Sequence, residues 1–424
     1  MTIIAVANIL VLFTIAFMLW RSENSSIRKA FWPAFVFKLL CGIALGLLYQ
    51  YYYTVGDTFS YYEDGVKLSS MARDNVGSYV EFLWKGNREY PIWHELNFQR
   101  PRALYMSKVT SIFCLLGGDN YWIVSLHLSF LAFLSAWYLV KQIVKLHTSI
   151  VVPAILAFLF LPSAVFWCSG LIKESLAMAT LYFLAAIFLR IFQKEKVSII
   201  QWLTIPLALW ILWNLKYYYL AVLLPVAATT LLMKLVILPR IAMKRWYIAV
   251  LTWSIIFIAP LYIASQVHPN FYPERFLHVI VENYQMLSRL SSPEDQIEYT
   301  DLQPEASSIL YHSPNALLSG LFRPFVWEAH TASQWLVALE NLVLLVLTIA
   351  ALTRFKRLIH AQNRLLVFTT IVYIALLCIF LSLSTPNFGT LSRYKVGFQS
   401  FFFLLIACNN PIIDRLKLFI QRLH

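Results

Sequence analysis

Charge is what this sequence has least of. Only 13% of its 424 residues are Asp, Glu, Lys or Arg, against 60% that are hydrophobic, and the mean hydropathy is +0.66. A soluble chain of this length needs about twice that charge to clothe its surface, so a soluble globular fold is excluded. Cysteine is scarce as well. Cys41, Cys114, Cys168, Cys378 and Cys408 lie in or beside apolar stretches, and none belongs to a CxxC pair. That spacing points to neither a zinc site nor a disulfide framework. There is no internal repeat and no low-complexity tract, and the apolar runs do not split into matching halves. This weighs against a transporter built from inverted repeats. The amino terminus has neither a basic leader nor a small-residue cleavage site, so residues 2–20 read as a retained span.

What the chain does have is apolar runs of bilayer-crossing length. They define an all-α, polytopic transmembrane bundle in a single domain, 1–424. A β-barrel is excluded, because barrel strands alternate over short segments. Eleven spans are expected: 2–20, 31–51, 121–140, 150–168, 172–192, 198–214, 217–236, 247–265, 335–353, 365–383 and 396–413. Every second loop is basic. Arg21, Arg28 and Lys29 follow the first span, Lys141 and Lys145 the third, and Arg190, Lys194 and Lys196 close or follow the fifth. Lys234, Arg240, Lys244 and Arg245 close or follow the seventh, Arg354, Lys356, Arg357 and Arg364 follow the ninth, and Arg415, Lys417 and Arg422 end the chain. Basic loops stay on the cytoplasmic side, which puts the amino terminus outside and the carboxyl terminus in the cytoplasm. The same distribution accounts for the net charge of +13. Basic residues divided among topogenic loops form no single patch, so nucleic acid is excluded as a partner.

The complementary loops face the outside, and two are long: 52–120 and 266–334. In the first, Ala103 to Leu116 is apolar but interrupted by Lys108, as in a helix lying in or dipping into the interface. In the second, Phe276, Val279, Ile280 and Tyr284 recur at helical spacing. The acidic, proline-containing section Ser292 to Ser308 that follows is expected to be mobile.

Three stretches on this side carry chemistry. In Gly56-Asp57-Thr58-Phe59-Ser60-Tyr61-Tyr62-Glu63-Asp64-Gly65, a helix would place Asp57, Tyr61 and Asp64 on one face. Asp57 or Thr58 could cap that helix, and Glu63 stands four before Lys67, the spacing of a surface pair. The second stretch holds Lys173 and Glu174, the only charges between Ser149 and Leu189. Ionisable residues at membrane depth usually face a partner, a cavity or a substrate. The third holds Arg393 and Lys395 at the start of the last span, where two cations would oppose a helix macrodipole unless an anion sat beside them. Arg323, in a run that continues to Glu328 and His330, and Lys216 add further external cations. Carboxylates and cations sharing one membrane face suit sugar transfer from a polyprenyl phosphate or diphosphate. A carboxylate would take the acceptor proton or hold a metal, and Arg and Lys would stabilise the departing phosphate.

This pattern resembles the GT-C superfamily of polytopic glycosyltransferases, which carry an acidic residue in the first large external loop and use lipid-linked sugar donors. By that resemblance Asp57 is the catalytic base, with Asp64 or Glu63 as the supporting acid and Glu174 as a further catalytic residue, and Asp57 the residue through which Mg or Mn would act. Lys173, Arg323, Arg393 and Lys395 would bind the donor phosphate, and Tyr61, Glu63, Glu328 and His330 would support the acceptor. The segments around Pro162 to Glu174 and Arg393 to Lys395 also look like parts of bacterial polysaccharide-synthesis membrane proteins, including O-antigen-polymerase-like ones. That implies residence in the bacterial inner membrane, with a glycan, lipid or protein as acceptor. A polymerase or ligase of lipid-linked glycan repeats would rely more on Arg323, His330 and Arg393. A flippase for a lipid-linked glycan would need ionisable residues deep in several spans. In one respect the chain departs from the GT-C pattern: its acidic loop follows the second span instead of the first.

Overall fold

A computed structural model describes residues 3–24, 26–53, 56–86, 88–240, 246–267, 272–354 and 363–422. Lys244, Arg245, Lys356 and Arg357, four of the cations used to assign topology, lie outside the described residues. Among those described the chain is a helical bundle with no strand, and its only β-bridge joins Gln296 to Asn387.

Among the described residues, seven helices are long and apolar enough to cross a membrane: Ile3–Ser22, Arg28–Tyr53, Tyr121–Val144, Lys173–Phe192, Ile199–Ile237, Ala332–Leu352 and Arg364–Ser384. Large apolar side chains such as Leu203, Leu251 and Leu336 are left exposed on the bundle's outside. A surface of that kind suits hydrocarbon better than water. Inside, the helices approach closely through small residues. Ser125, Ser129, Ala132 and Ala136 of Tyr121–Val144 and Ala177, Ala185 and Ala186 of Lys173–Phe192 are all buried. Small residues let helix backbones pack at short range where burial from water supplies no drive.

The Ile199–Leu232 helix is two arms meeting at Lys216, whose backbone is non-helical at φ −145°, ψ 63°. Gln201 accepts from Arg190, at the far end of Lys173–Phe192, whereas Lys216 lies against Glu174 at its start. Arg190 and Glu174 are about 24 Å apart at 1.5 Å per residue. Lys234 then lies over the ring of Phe192, back at the first end. The chain therefore rises along one arm, reverses at Lys216 and returns along the other.

The stretch expected as a span over 150–168 is broken. A helix Val151–Ile155 passes into a wider turn, Leu156–Phe160, then extended Leu161, then a short helix Pro162–Trp167. Proline at 162 restarts the helix where its missing N–H costs nothing. The last expected span is shorter than its reading: Val396–Ala407 ends before Asn410, and Pro411 opens a separate helix, Pro411–Arg422.

The two long connections are built of helices. Asp57–Asp74 packs on Pro101–Gly117, with Val76–Lys85 beside them. Pro273–Arg289 and Ala306–Phe322 both pack on Arg364–Ser384. The Ser292 to Ser308 section does not hang free. Ile297 donates its N–H to Pro386 O at 3.0 Å, Tyr299 donates its own to the Tyr284 hydroxyl at 3.0 Å, and Ile297, Tyr299 and Leu302 are buried. Its acidic composition suggested mobility, but three apolar side chains anchor it.

Candidate functional site

Three chain breaks converge at one end of the bundle. The first is at Gly56, where the chain leaves the Tyr49–Tyr53 turn and starts the Asp57–Asp74 helix. A Cβ at Gly56 would collide with the Tyr49 ring, so glycine lets the chain pass and leaves Asp57 in the first helical turn. Gly56 itself is the N-cap and no side chain caps this helix, so neither Asp57 nor Thr58 has the capping role. Asp57 is free for other contacts, and its side chain is 35% exposed.

The second break runs from Cys168 to Ile172. Gly170 sits at φ 74°, a left-handed conformation that favours glycine. Gly170 donates its N–H to Ser129 Oγ at 2.8 Å, and Ser175 Oγ donates to the carbonyls of Gly170 and Ile172. Lys38, buried within Phe31–Leu48, donates from Nζ to Cys168 O at 2.6 Å. A cation there satisfies a carbonyl that the short helix Pro162–Trp167 leaves open at its end. The segment so held delivers Lys173 and Glu174 into the first turn of the next helix.

The third break is at Lys216, already described, and the short helix Phe388–Tyr394 completes the group. Asn387 caps that helix by accepting the N–H of Thr390 at 3.0 Å. Arg393 therefore lies in its last turn, where a cation complements the macrodipole. For Arg393 the expected conflict at a helix amino terminus does not arise, whereas Lys395 is the N-cap of Val396–Ala407, as expected.

These pieces bring five charged side chains together. Glu174, with no exposed surface, lies 2.7 Å from Lys216 Nζ through Oε1 and 2.8 Å from Arg393 Nε through Oε2. Arg393 reaches Asp57 Oδ2 at 3.1 Å and the Tyr49 hydroxyl at 3.4 Å with its two terminal nitrogens. Lys216 also lies 3.7 Å from the centre of the Tyr394 ring, and Lys173 5.5 Å from that of Tyr61. Lys173 and Glu174, adjacent and about 100° apart around the helix, point to different neighbours. Three cations, Lys173, Lys216 and Arg393, face two carboxylates, Asp57 and Glu174, leaving an excess of one positive charge. Both Glu174 oxygens and Arg393 Nε are buried without an aligned hydrogen bond despite these short ion-pair distances, and the Tyr61 hydroxyl is buried with no partner. Burial acts against the charge on Arg393, but Glu174, Tyr49 and Asp57 outweigh it and hold its pKa well above the usual value. Burial likewise raises the Tyr61 phenol, with Asp57 adding to the effect.

The other sequence candidates lie apart from this group. Asp64 accepts from the N–H groups of Asn97 and Phe98 at 2.7 and 3.2 Å and from Ser107 Oγ at 2.9 Å. Its oxygens tie the Asn97–Phe98 loop and the Pro101–Gly117 helix to Asp57–Asp74. Glu63 is exposed and accepts from Asn97 Nδ2 at 3.0 Å, while Lys67 donates to Glu95 O at 2.5 Å, so the expected pair between them is not made. Arg323 is closed onto Glu328, with Nε 2.8 Å from Oε1, and lies over the Phe388 ring. Lys395 turns away from Arg393 and donates to Arg323 O at 2.6 Å, and burial lowers its pKa to about 8. His330 is exposed beside the capped start of Ala332–Leu352. Arg323, Glu328 and Lys395 thus form a second, internally satisfied group on the other side of Phe388–Tyr394.

A divalent metal takes an oxygen-rich set of ligands. Asp57 offers one carboxylate beside a guanidinium, and the described residues contain no group of three or more His, Cys, Asp or Glu that could hold a metal ion.

Tyr49 is the member of the site that sequence reasoning passed over. It opens the aromatic run Tyr49–Tyr53, which reads as an interface belt, and only its approach to Arg393 distinguishes it. Comparison with protein-family models, with curated proteins and with solved structures found no match to this chain.

Proposed function

We propose that this chain is a multi-pass inner-membrane glycosyltransferase of the GT-C kind, taking a sugar from a polyprenyl-phosphate-linked donor at the extracytoplasmic face. One observation carries the reading: a part-exposed carboxylate, Asp57, held 3.1 Å from a buried guanidinium in a group with excess positive charge. Counting the broken stretch at 151–167, both arms around Lys216, and the shorter apolar stretches Trp246–Pro260 and Val396–Ala407, the bundle makes eleven passes. The amino terminus and the charged group then lie outside.

In the proposed reaction the acceptor hydroxyl gives its proton to Asp57, and its oxygen bonds to the anomeric carbon. The bond from that carbon to the phosphate oxygen breaks, and its electron pair leaves on the phosphate. Attack opposite the leaving group inverts the anomeric centre. Arg393, Lys173 and Lys216 stabilise the phosphate charge as it grows, in a setting where water screens little. Glu174 holds Arg393 and Lys216 in place and offsets part of their mutual repulsion. Repeat-unit polymerisation would draw on Arg323, His330 and Arg393, and of these Arg393 alone belongs to the charged group. Arg323 is already spent on Glu328 and His330 lies elsewhere, which favours the transferase.

The test complements a deletion strain with wild type or Asp57→Asn and compares surface polysaccharide, lipid A and glycoprotein profiles. Wild type should restore a missing glycan, and the variant should insert normally but lose transfer by about 10²–10⁴-fold. An unchanged glycan inventory on deletion, or full activity in the variant, would overturn the proposal.

A further inference from the structure

At the end of the bundle away from Asp57 lies a cavity of about 370 Å³ that the proposed chemistry does not use. Its walls include Ile143, Ala185, Phe188, Val226, Leu366 and Phe401, drawn from five helical segments. Among the described residues its lining contains no carboxylate, lysine or arginine. The polar atoms deep inside are already committed. Thr369 and Thr370 hydroxyls donate to Leu366 O, and the Tyr373 hydroxyl donates to Gly397 O. At the mouth, His147, Ser149 and Asn409 are exposed.

An apolar void costs stability in proportion to its volume. Water fills one only where it finds two to four polar partners, and these walls spare few. The wall helices include four of the apolar, span-length segments, so the phase nearest the cavity is hydrocarbon. The rim is cationic. Arg364, next to the lining residue Asn363, is exposed and makes no ion pair among the described residues. Lys145, two residues before His147, is also exposed and shares Glu195 with Arg190.

We propose that this cavity holds one acyl chain of an anionic phospholipid, drawn from the leaflet opposite the Asp57 site, with its phosphate at the Arg364 and Lys145 rim. Charge complementarity at the rim selects the headgroup, and the dry wall selects the chain. The inference shares the membrane placement proposed above but not the transferase chemistry, and it is read without any sugar transfer.

Full-length protein is purified in mild detergent, and retained lipid is measured by native mass spectrometry. Delipidated protein is then melted with phosphatidylglycerol, phosphatidylcholine or farnesyl phosphate. Wild type should retain phospholipid and gain most in melting temperature from phosphatidylglycerol. Ala185→Phe, which fills the cavity, should lower retention about tenfold. Ala227→Phe, on another wall, serves the same purpose if the first variant fails to fold. Arg364→Ala should remove the preference for phosphatidylglycerol over phosphatidylcholine. The proposal fails if wild type retains no lipid, if the filled variants retain as much as wild type, or if farnesyl phosphate stabilises more than phosphatidylglycerol.

Discussion

Arg393 Nε lies 2.8 Å from Glu174 Oε2, joining the last turn of the Phe388–Tyr394 helix to the first turn of Lys173–Phe192. The same guanidinium reaches Asp57 and Tyr49, so one planar group holds three segments that meet only in the folded chain. Lysine carries the charge but not the fork needed to make these contacts together. Arg393→Ala should destabilise by about 3–5 kcal/mol, the usual cost of removing one partner of a buried pair. Arg393→Lys should recover part of that stability and little transfer. Thermal melting in detergent and a glycan-transfer assay read the two separately. Wild-type behaviour of Arg393→Lys in both would remove the bridging role.

Glu174 separates Lys216 from Arg393, and its loss leaves two buried cations facing each other. Glu174→Gln and Lys216→Met should each destabilise, but the double variant should cost less than the sum of the two. The coupling should fall within about 0.5–3 kcal/mol, as for residues in one charged network. A double-variant cycle by thermal or denaturant melting gives that number. Strict additivity would mean that the 2.7 Å contact has no energetic weight.

Lys38 acts on the site through the backbone. Lys38→Met leaves Cys168 O without its donor, inside the bundle where water cannot replace it. An unsatisfied buried carbonyl costs about 1–3 kcal/mol. The variant should also lower transfer beyond what its folded fraction explains, because the released segment carries Lys173 and Glu174. Activity measured per folded molecule decides this, and an unchanged value would limit Lys38 to stability.

Asp64 gives the fold a pH dependence independent of the site. Burial raises its pKa, and the hydrogen bonds from Asn97, Ser107 and Phe98 only partly oppose this. A raised folded pKa means the native state holds its proton more tightly than the unfolded chain. Its contribution is therefore full below the ordinary carboxylate value, about 3.9, and is lost as pH rises through the folded value. Asp64→Asn should abolish this slope. It should also lower stability by about 1–3 kcal/mol, since one amide oxygen must serve three donors. Melts across the acidic range check both, and an unchanged slope would show that Asp64 is not its source.

The sequence by itself determined the class of fold. Apolar runs and a low density of charge can form helices only where the surroundings are apolar, and that follows from composition without tertiary contacts. It also singled out Asp57, Lys173, Glu174 and Arg393, because charge at the edge of an apolar run is conspicuous. Which charges meet was decided by the tertiary structure alone. Lys173 and Glu174 look like one feature in the chain, yet helical rotation sends them to different neighbours. Arg323 and Lys395 look equivalent to Arg393, but Glu328 and the Arg323 carbonyl take them up. Asp64 looks like a partner of Asp57 on the same helix face, yet a loop from residues 97–98 closes over its oxygens. Local spacing governs where a side chain starts. The partner it reaches depends on how breaks at Gly56, Gly170 and Lys216 turn distant segments toward one another.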